Sequence, residues 1–485
     1  MSIAGSLSSA LSGLTANARA AEVVSSNISN ALTPGYGRRE LVISAREIGG
    51  SGQGVEVIGV YRHADRLLIG DRRLAESAAG ENRVRSQFLS RLEGMLGRPG
   101  DAISLNGRIA AFDAALIEAA SRPESEARLS RVTDTARGLA GHLSAVSTDL
   151  QAARTRADAS IGAEVQVLNT ALTRIGALNA LILANSGNGR DSSALMDQRQ
   201  QVIDQVAAIV PVREVPRDRG VIALITQTGA SLVDGRVAQF GFAPAGQIVA
   251  EMTQGTGALS GLTLNGTPIA TAGDAGPIAG GTLAASFAVR DDLGPRAQAQ
   301  VDGIARDLVD RFATPGLDST RAPGDPGLFT DAGGSFDPVN ETGLSQRLTL
   351  NAAVDPERGG AVWRLRDGLG ATSPGPTGNA GLLNTLQAVL TDRREPVSAT
   401  FTAGQRSLSA LATDMLSLIA SHRLTADSEA SFSAARADSL RTMELEAGVD
   451  TDREVQTLLL IEQNYAANAK VVQTVDEMIK LLLGI

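Results

Sequence analysis

The chain contains no cysteine and only three histidines among its 485 residues. Disulfide frameworks, thiolate metal sites and cysteine nucleophiles are thereby excluded. His63, His142 and His422 stand far apart, with no HxH or HExxH spacing, so the metalloprotease pattern is missing too. Aromatic residues make up 3% of the chain and leave few platforms for stacking bases or sugars. Lys470 and Lys480 are the only lysines; arginine supplies the rest of the positive charge. A net charge of −9 argues against a nucleic-acid or anionic-membrane partner. The first basic residue is Arg19, so the N-terminal stretch does not read as a Sec-type signal. Apolar runs such as 458–461 are too short for membrane insertion. No cofactor, metal site or enzymatic activity is expected.

What the chain does have is a helix seam at each end. Over 448–485, Leu458, Ile461, Tyr465, Asn468, Val472, Val475, Ile479 and Leu482 recur in alternating steps of three and four, the coiled-coil spacing. Over 1–30, Ile3, Leu7, Ala10, Leu14, Asn17, Ala21, Val24 and Ile28 do the same. Two such seams satisfy each other if the chain returns to where it began. Each carries one amide in mid-helix. Asn17 and Asn468 are either margin residues bonded to water or a polar layer that sets register. Such helices are costly to nucleate alone, and flanking apolar residues (Leu459, Leu460, Val471, Met478, Leu483) widen the C-terminal stripe beyond one neighbour. That is the pattern of an assembly subunit, with the seam residues as its interface.

Between the ends, Pro34, Gly35 and Gly37 break the first helix, and extended runs at 40–45 and 55–60 flank a Gly-rich turn at 49–54. That turn lacks the GK[ST] of a phosphate loop and reads as a hairpin. Helices are expected over 64–98, 106–120, about 124–184 and 193–209. The third has strict three-four spacing from Leu129 to Ala157, steps of four to Ile161 and Val165, and then resumed spacing, which is a stutter. Short strands are expected at 221–226, 231–233, 237–242, 248–252 and 262–269, with Asn265-Gly266 as a hairpin turn. Helix returns at 290–312, a strand at 347–351, and helices at 382–390 and 404–447. Asp318, Asp325 and Asp331 share a loop but lack calcium-loop spacing. Arg38-Arg39, Arg72-Arg73 and Arg393-Arg394 read as surface charge.

The expected fold class is mainly α with an inserted small β domain. It combines paired N- and C-terminal coiled-coil-like helices, a long-helix bundle domain and a β-rich outer domain. Boundaries are expected at 1–45 with 446–485 for the terminal helices, 46–212 with 283–445 for the bundle, and 213–282 for the insertion. The insertion enters after Pro211, leaves near Gly280-Gly281, and is expected to be dispensable to the helical core.

Ser26-Asn27-Ile28-Ser-Asn30-Ala-Leu-Thr-Pro34-Gly35-Tyr36-Gly-Arg38 resembles the N-terminal signature of bacterial flagellar rod, hook and hook-associated proteins. Glu462-Gln-Asn-Tyr465-Ala-Ala-Asn468-Ala-Lys-Val-Val-Gln-Thr474 resembles their C-terminal signature. Leu195-Met-Asp197-Gln-Arg199-Gln-Gln-Val-Ile203 looks like the internal helix motif of the family's hook–filament junction members. Gln200 stands where that motif usually has Asp, and Asp450 and Arg453 where the family favours Asn and Glu. The resemblance implies a secreted structural subunit of the bacterial flagellum, exported by the type III route to form the junction of hook and filament. It implies as partners a ring of its own copies, hook protein, the second junction protein (hook-associated protein 3) and an export chaperone. Alternatives are another axial protein (hook, distal rod or flagellin-like) or a secreted enzyme with axial-type termini.

Overall fold

The computed structural model describes residues 3–48, 51–98, 100–188, 190–273 and 276–484. Helix α1 (Ile3–Ser29) leads into an antiparallel hairpin of β1 (Arg39–Ile48) and β2 (Ser51–Arg62). The hairpin lies against α1, and Ser12 Oγ accepts a hydrogen bond from the Val55 N–H at 3.1 Å. Of the turn expected over 49–54, residues 49–50 fall outside the described residues and 51–54 belong to β2; Gly189 in the expected helix stop is also outside them. Helices α2 (Arg66–Leu96), α3 (Leu105–Ser121), α4 (Glu126–Gly187) and α5 (Ser193–Ile209) follow. Asp65 caps α2 by accepting from the Leu67 and Leu68 N–H groups, and Ser104 caps α3 through the Gly107 N–H.

Strands β3 (Val212–Pro216), β4 (Ile222–Thr226), β5 (Ser231–Asp234) and β6 (Arg236–Val237) form one antiparallel sheet in that order. Strands β7 (Phe240–Gly241), β8 (Leu262–Leu264) and β9 (Thr267–Ile269) form another, and Asn265-Gly266, both at positive φ, makes the turn its sequence called for. Helix α6 (Gly281–Ala288) continues through a π-helical turn (Val289–Leu293) into α7 (Gly294–Ala313). Then come β10 (Phe329–Asp331), α8 (Leu344–Arg347), β11 (Leu348–Leu350), α9 (Arg364–Asp367), α10 (Gly381–Thr391), α11 (Leu408–Glu446) and α12 (Thr451–Leu483). The fold is mainly α, with paired terminal helices and a small inserted β region.

Two buried clusters share α4. Its first half, Leu129 to Ala157, packs with α3, α7, β10, β11 and the first part of α11. Its second half, Ile161 to Ile175, packs with α5, the inserted sheets and α6. The stutter falls where one cluster gives way to the other, because the buried stripe must rotate as the neighbour changes. A buried ion pair marks the changeover, Arg290 Nη1 to Asp158 Oδ1 at 2.7 Å. By length and composition α4 could cross a membrane, yet a face of each half is packed into a core. Helices α2 and α11 run antiparallel, with Arg72 at Glu444, Asn82 at Ser433, Ser86 at Asp427 and Glu93 at Arg423.

Three expectations fail here. Residues 248–252 form no strand, because α4 takes their polar backbone groups. Arg154 donates to the carbonyls of Val249 (3.2 Å) and Met252 (2.6 Å), and the Ile248 N–H donates to Thr155 Oγ1. The helix expected from 290 begins at Gly281, where a Cβ would lie 2.3 Å from the Ile209 carbonyl oxygen. Glycine lets α6 start hard against the end of α5. The inserted strands are also no separate body. Leu224, Leu232, Phe240 and Leu262 complete one core with Ile161, Leu168 and Leu172 of α4.

Candidate functional site: the joint of the terminal helices

Helices α1 and α12 run antiparallel. Asn27 meets Glu454 and Gly13 meets Asn468, the same number of residues further along each helix, so the pair stays in step. Val24 and Val475 are buried; Ile3, Leu7, Leu14, Asn17, Ile28, Leu458, Ile461, Asn468, Val472 and Ile479 are partly buried. Tyr465 and Leu482, expected in the seam, are 48% and 74% exposed. One partner helix covers only part of the stripe at Tyr465, and in this register α12 outruns α1 before Leu482. Leu459, Leu460, Val471 and Met478 are exposed as well, so α12 carries an uncovered apolar face.

The two amides do not share a layer. The register sets Asn17 level with Asn464, one turn before Asn468. No hydrogen bond joins Asn17 to Asn468 among the described residues. A Cβ on Gly13 would lie 2.7 Å from Asn468 Nδ2, so the missing side chain is what admits the amide.

Where the pair meets the body, the polar groups converge. Asn27 is fully buried, and all of its amide atoms are engaged. Its Nδ2 donates to the Arg39 carbonyl (2.8 Å) and to Glu454 Oε2 (3.0 Å); its Oδ1 accepts from the Arg39 N–H and the Tyr36 hydroxyl, both at 2.9 Å. Glu454, 1% exposed, accepts from Arg38 Nε at 2.7 Å through its other oxygen. Asp197 of α5 accepts from the Gly37 N–H (3.0 Å), Arg39 Nη2 (2.8 Å) and Arg62 Nε (2.6 Å). Gln201 donates to the Pro34 carbonyl at 2.8 Å, and Arg62 reaches the Gly35 carbonyl and Gln200. Asn30 closes α1 by donating to the Ser26 carbonyl at 2.9 Å. One carboxylate on α5 and one on α12 thus both hold the loop 34–39, Asp197 at Gly37 and Arg39 and Glu454 at Arg38.

A second cluster continues inward. Arg72 pairs with Glu444, Glu76 and Asp204; Arg73 pairs with Asp204 and Glu214. Arg72 and Arg73 are 6% and 2% exposed, and Arg38 and Arg39 are tied into the joint. These four are not surface charge. Their acidic partners lie far away in the chain, so charge order along the sequence could not expose them. Charge on Arg72 is favoured by Asp204 and Glu444 beyond the cost of its burial. Arg199 faces the other way and donates to Asn179 Oδ1 (2.7 Å) and the Gly220 carbonyl (2.8 Å), holding α4 and the start of the inserted sheet. Glu454, Arg62, Asp204 and Glu444 were missed by sequence reasoning. The capping position of Asp450, four residues before Glu454, was the one local signal. Nothing in the joint has the form of a catalytic or metal centre; no cluster suited to a metal ion occurs among the described residues.

Comparison with known proteins matches this layout. Residues 7–36 match a family model described as "Flagella basal body rod protein" and residues 445–485 one described as "Flagellar basal body rod FlgEFG protein C-terminal". Residues 89–327 match "Flagellar hook-associated protein FlgK helical domain". All three models describe flagellar rod or hook-associated proteins. Similar curated proteins are flagellar hook-associated protein 1 of Salmonella typhimurium (28% identical over 237 residues, 47% of this chain and 42% of that one) and of Escherichia coli K12 (28% over 240 residues, 48% and 44%). That of Bacillus subtilis is 25% identical over 240 residues, 47% of each. The match thus spans less than half the length of these relatives. Among solved structures, the flagellar hook junction protein FlgK from Burkholderia pseudomallei aligns with a TM-score of 0.43 and 20% identity, over 54% of this chain and 46% of that one.

Proposed function

We propose that this chain is a structural subunit forming the junction between hook and filament, assembling through its terminal helices. The joint carries the reading. The N-terminal signature and the α5 motif meet α12 at one buried polar cluster, through Glu454, and the helices held there leave Leu459, Leu460, Val471 and Met478 uncovered. A pair with an unsatisfied apolar face is built to be completed by neighbours. In this reading copies of the chain stand in a ring, with hook protein on one side and the second junction protein, hook-associated protein 3, on the other. The subunit is exported to the extracellular flagellum, and a chaperone shields the α12 stripe beforehand. The seam residues from Ile3 to Ile28 and from Leu458 to Leu482 form the assembly interface, and 1–45 with 446–485 act as one terminal unit.

Deletion of the gene tests this. The expected phenotype is filament monomers released into the medium from cells that keep their hooks, reversed by the wild-type gene. Cells without hooks would assign the protein to an earlier position in the axis.

A further inference from the structure

A cavity of about 430 Å³ lies between the start of α2, helix α5 and strand β3. Its apolar lining includes Ile69, Met196, Ile203, Val212 and Ile222, and Leu67, 77% exposed, stands at its edge. Its charged lining is strongly unbalanced. Arg62 and Arg73 are matched by Asp197, Asp204 and Glu214. Arg66, Arg199 and Arg213 line the same space and form no ion pair among the described residues; Asp71 is the one unpaired carboxylate there.

Arg199 is the telling member. It is 6% exposed, and its hydrogen bonds go only to a neutral amide and a backbone carbonyl. Burial lowers its pKa to about 10; Glu214 nearby offsets part of that and Arg62, Arg66 and Arg73 add to it, so at neutral pH it stays cationic with no carboxylate in ion-pair contact among the described residues. A buried unpaired charge is costly, and an anion that reaches it relieves that cost. Guanidinium groups also match carboxylates in geometry.

We propose that this cavity is a docking site for an acidic–aliphatic peptide segment of another protein. The segment's carboxylate sits at Arg66 and Arg199 with Arg213 on the strand side, and an adjacent aliphatic side chain lies on Ile69, Met196 and Val212. The occupant follows from charge and lining together. A simple anion would leave the apolar walls bare, and a purely apolar segment would bury the guanidinium without a partner. The site does not depend on the hook–filament reading, and its test uses the isolated chain.

The experiment is a methyl NMR titration of the full-length protein, reading the methyls of Met196, Ile69 and Ile222. The probes are the blocked peptides acetyl-Leu-Glu-Leu-amide and acetyl-Leu-Gln-Leu-amide, and inorganic phosphate. The Glu peptide should shift these methyls saturably and bind at least about tenfold more tightly than the Gln peptide. In the double variant Arg66→Ser/Arg213→Ser, whose changes lie at exposed positions, binding of the Glu peptide should weaken by a similar factor. Equal affinity for the two peptides would overturn the proposal, as would phosphate producing the same shifts at the same concentrations. Unchanged affinity in the double variant would overturn it as well.

Discussion

Replacing Glu454 with Gln should release the terminal helices without unfolding the body. The glutamate is 1% exposed and holds Arg38 at 2.7 Å and Asn27 at 3.0 Å. Glutamine keeps its shape but removes the charge, and it turns one end into a donor that faces another donor, either Arg38 Nε or Asn27 Nδ2. A buried charged hydrogen bond lost with its partner left behind costs roughly 3–5 kcal/mol. The Arg38 side chain is 23% exposed and recovers some hydration, so about 2–3 kcal/mol is the better figure. That corresponds to roughly a 30- to 150-fold rise in the opening equilibrium of the pair. Hydrogen exchange followed by peptide mass spectrometry reads it directly: amides of α1 and α12 should exchange faster by about that factor, while α4 and α7 keep their protection. The midpoint of thermal unfolding of the body should stay within a degree or two. Unchanged exchange in α1 and α12 would refute the reasoning, because the carboxylate would then not be what fastens the ends.

Three other perturbations follow from particular contacts. Burial raises the Glu164 pKa to about 7 against an ordinary value of 4.5. Its contribution to stability is therefore full below about pH 4.5 and is lost as pH rises to about 7. Glu164→Gln should remove that slope from denaturation midpoints across the window and stabilise the protein by about 1–3 kcal/mol at pH 8. Gly13→Val should loosen the terminal pair by about 1–3 kcal/mol of overpacking against Asn468, and Asn468→Ala in the same chain should restore most of the exchange protection. Replacing 213–282 with a short Gly/Ser linker should uncover Ile161, Leu168 and Leu172, so that the second half of α4 loses exchange protection while Leu129 to Leu150 keep theirs.

The helices and hairpins were legible because each is written in local periodicity. α5 sits at the residues its spacing indicated, and the stutter in α4 was visible before its meaning was. Register was not legible. Periodicity says which face of α12 turns inward, but only Asn27 meeting Glu454 decides which residues stand level, so Asn17 and Asn468 could not be separated beforehand. The arginines of the joint show the same limit. Arg38, Arg39, Arg72 and Arg73 look like solvated charge until α5, α11 and α12 bring their carboxylates to them. The stretch 248–252 has strand-forming residues and lost its strand to Arg154 on a distant helix.

The hydrogen bond from Asn27 to Glu454 spans 427 positions of chain, which for a flexible polymer would be a slow and unfavourable closure. The antiparallel course of α2 and α11 changes that. It delivers both chain ends to one end of the body, so once the body has folded only the hairpin segment 30–65 and the short turn 447–450 separate the helices to be joined from it. The ends then meet as though tethered at high local concentration. Their pairing behaves as a zipper with its first tooth at the body, closing outward toward the tips. Such a zipper opens from the tips first and can be undone over part of its length while its base stays shut. A subunit that enters a growing structure with its outer teeth open can exchange contacts with a neighbour before it closes on itself.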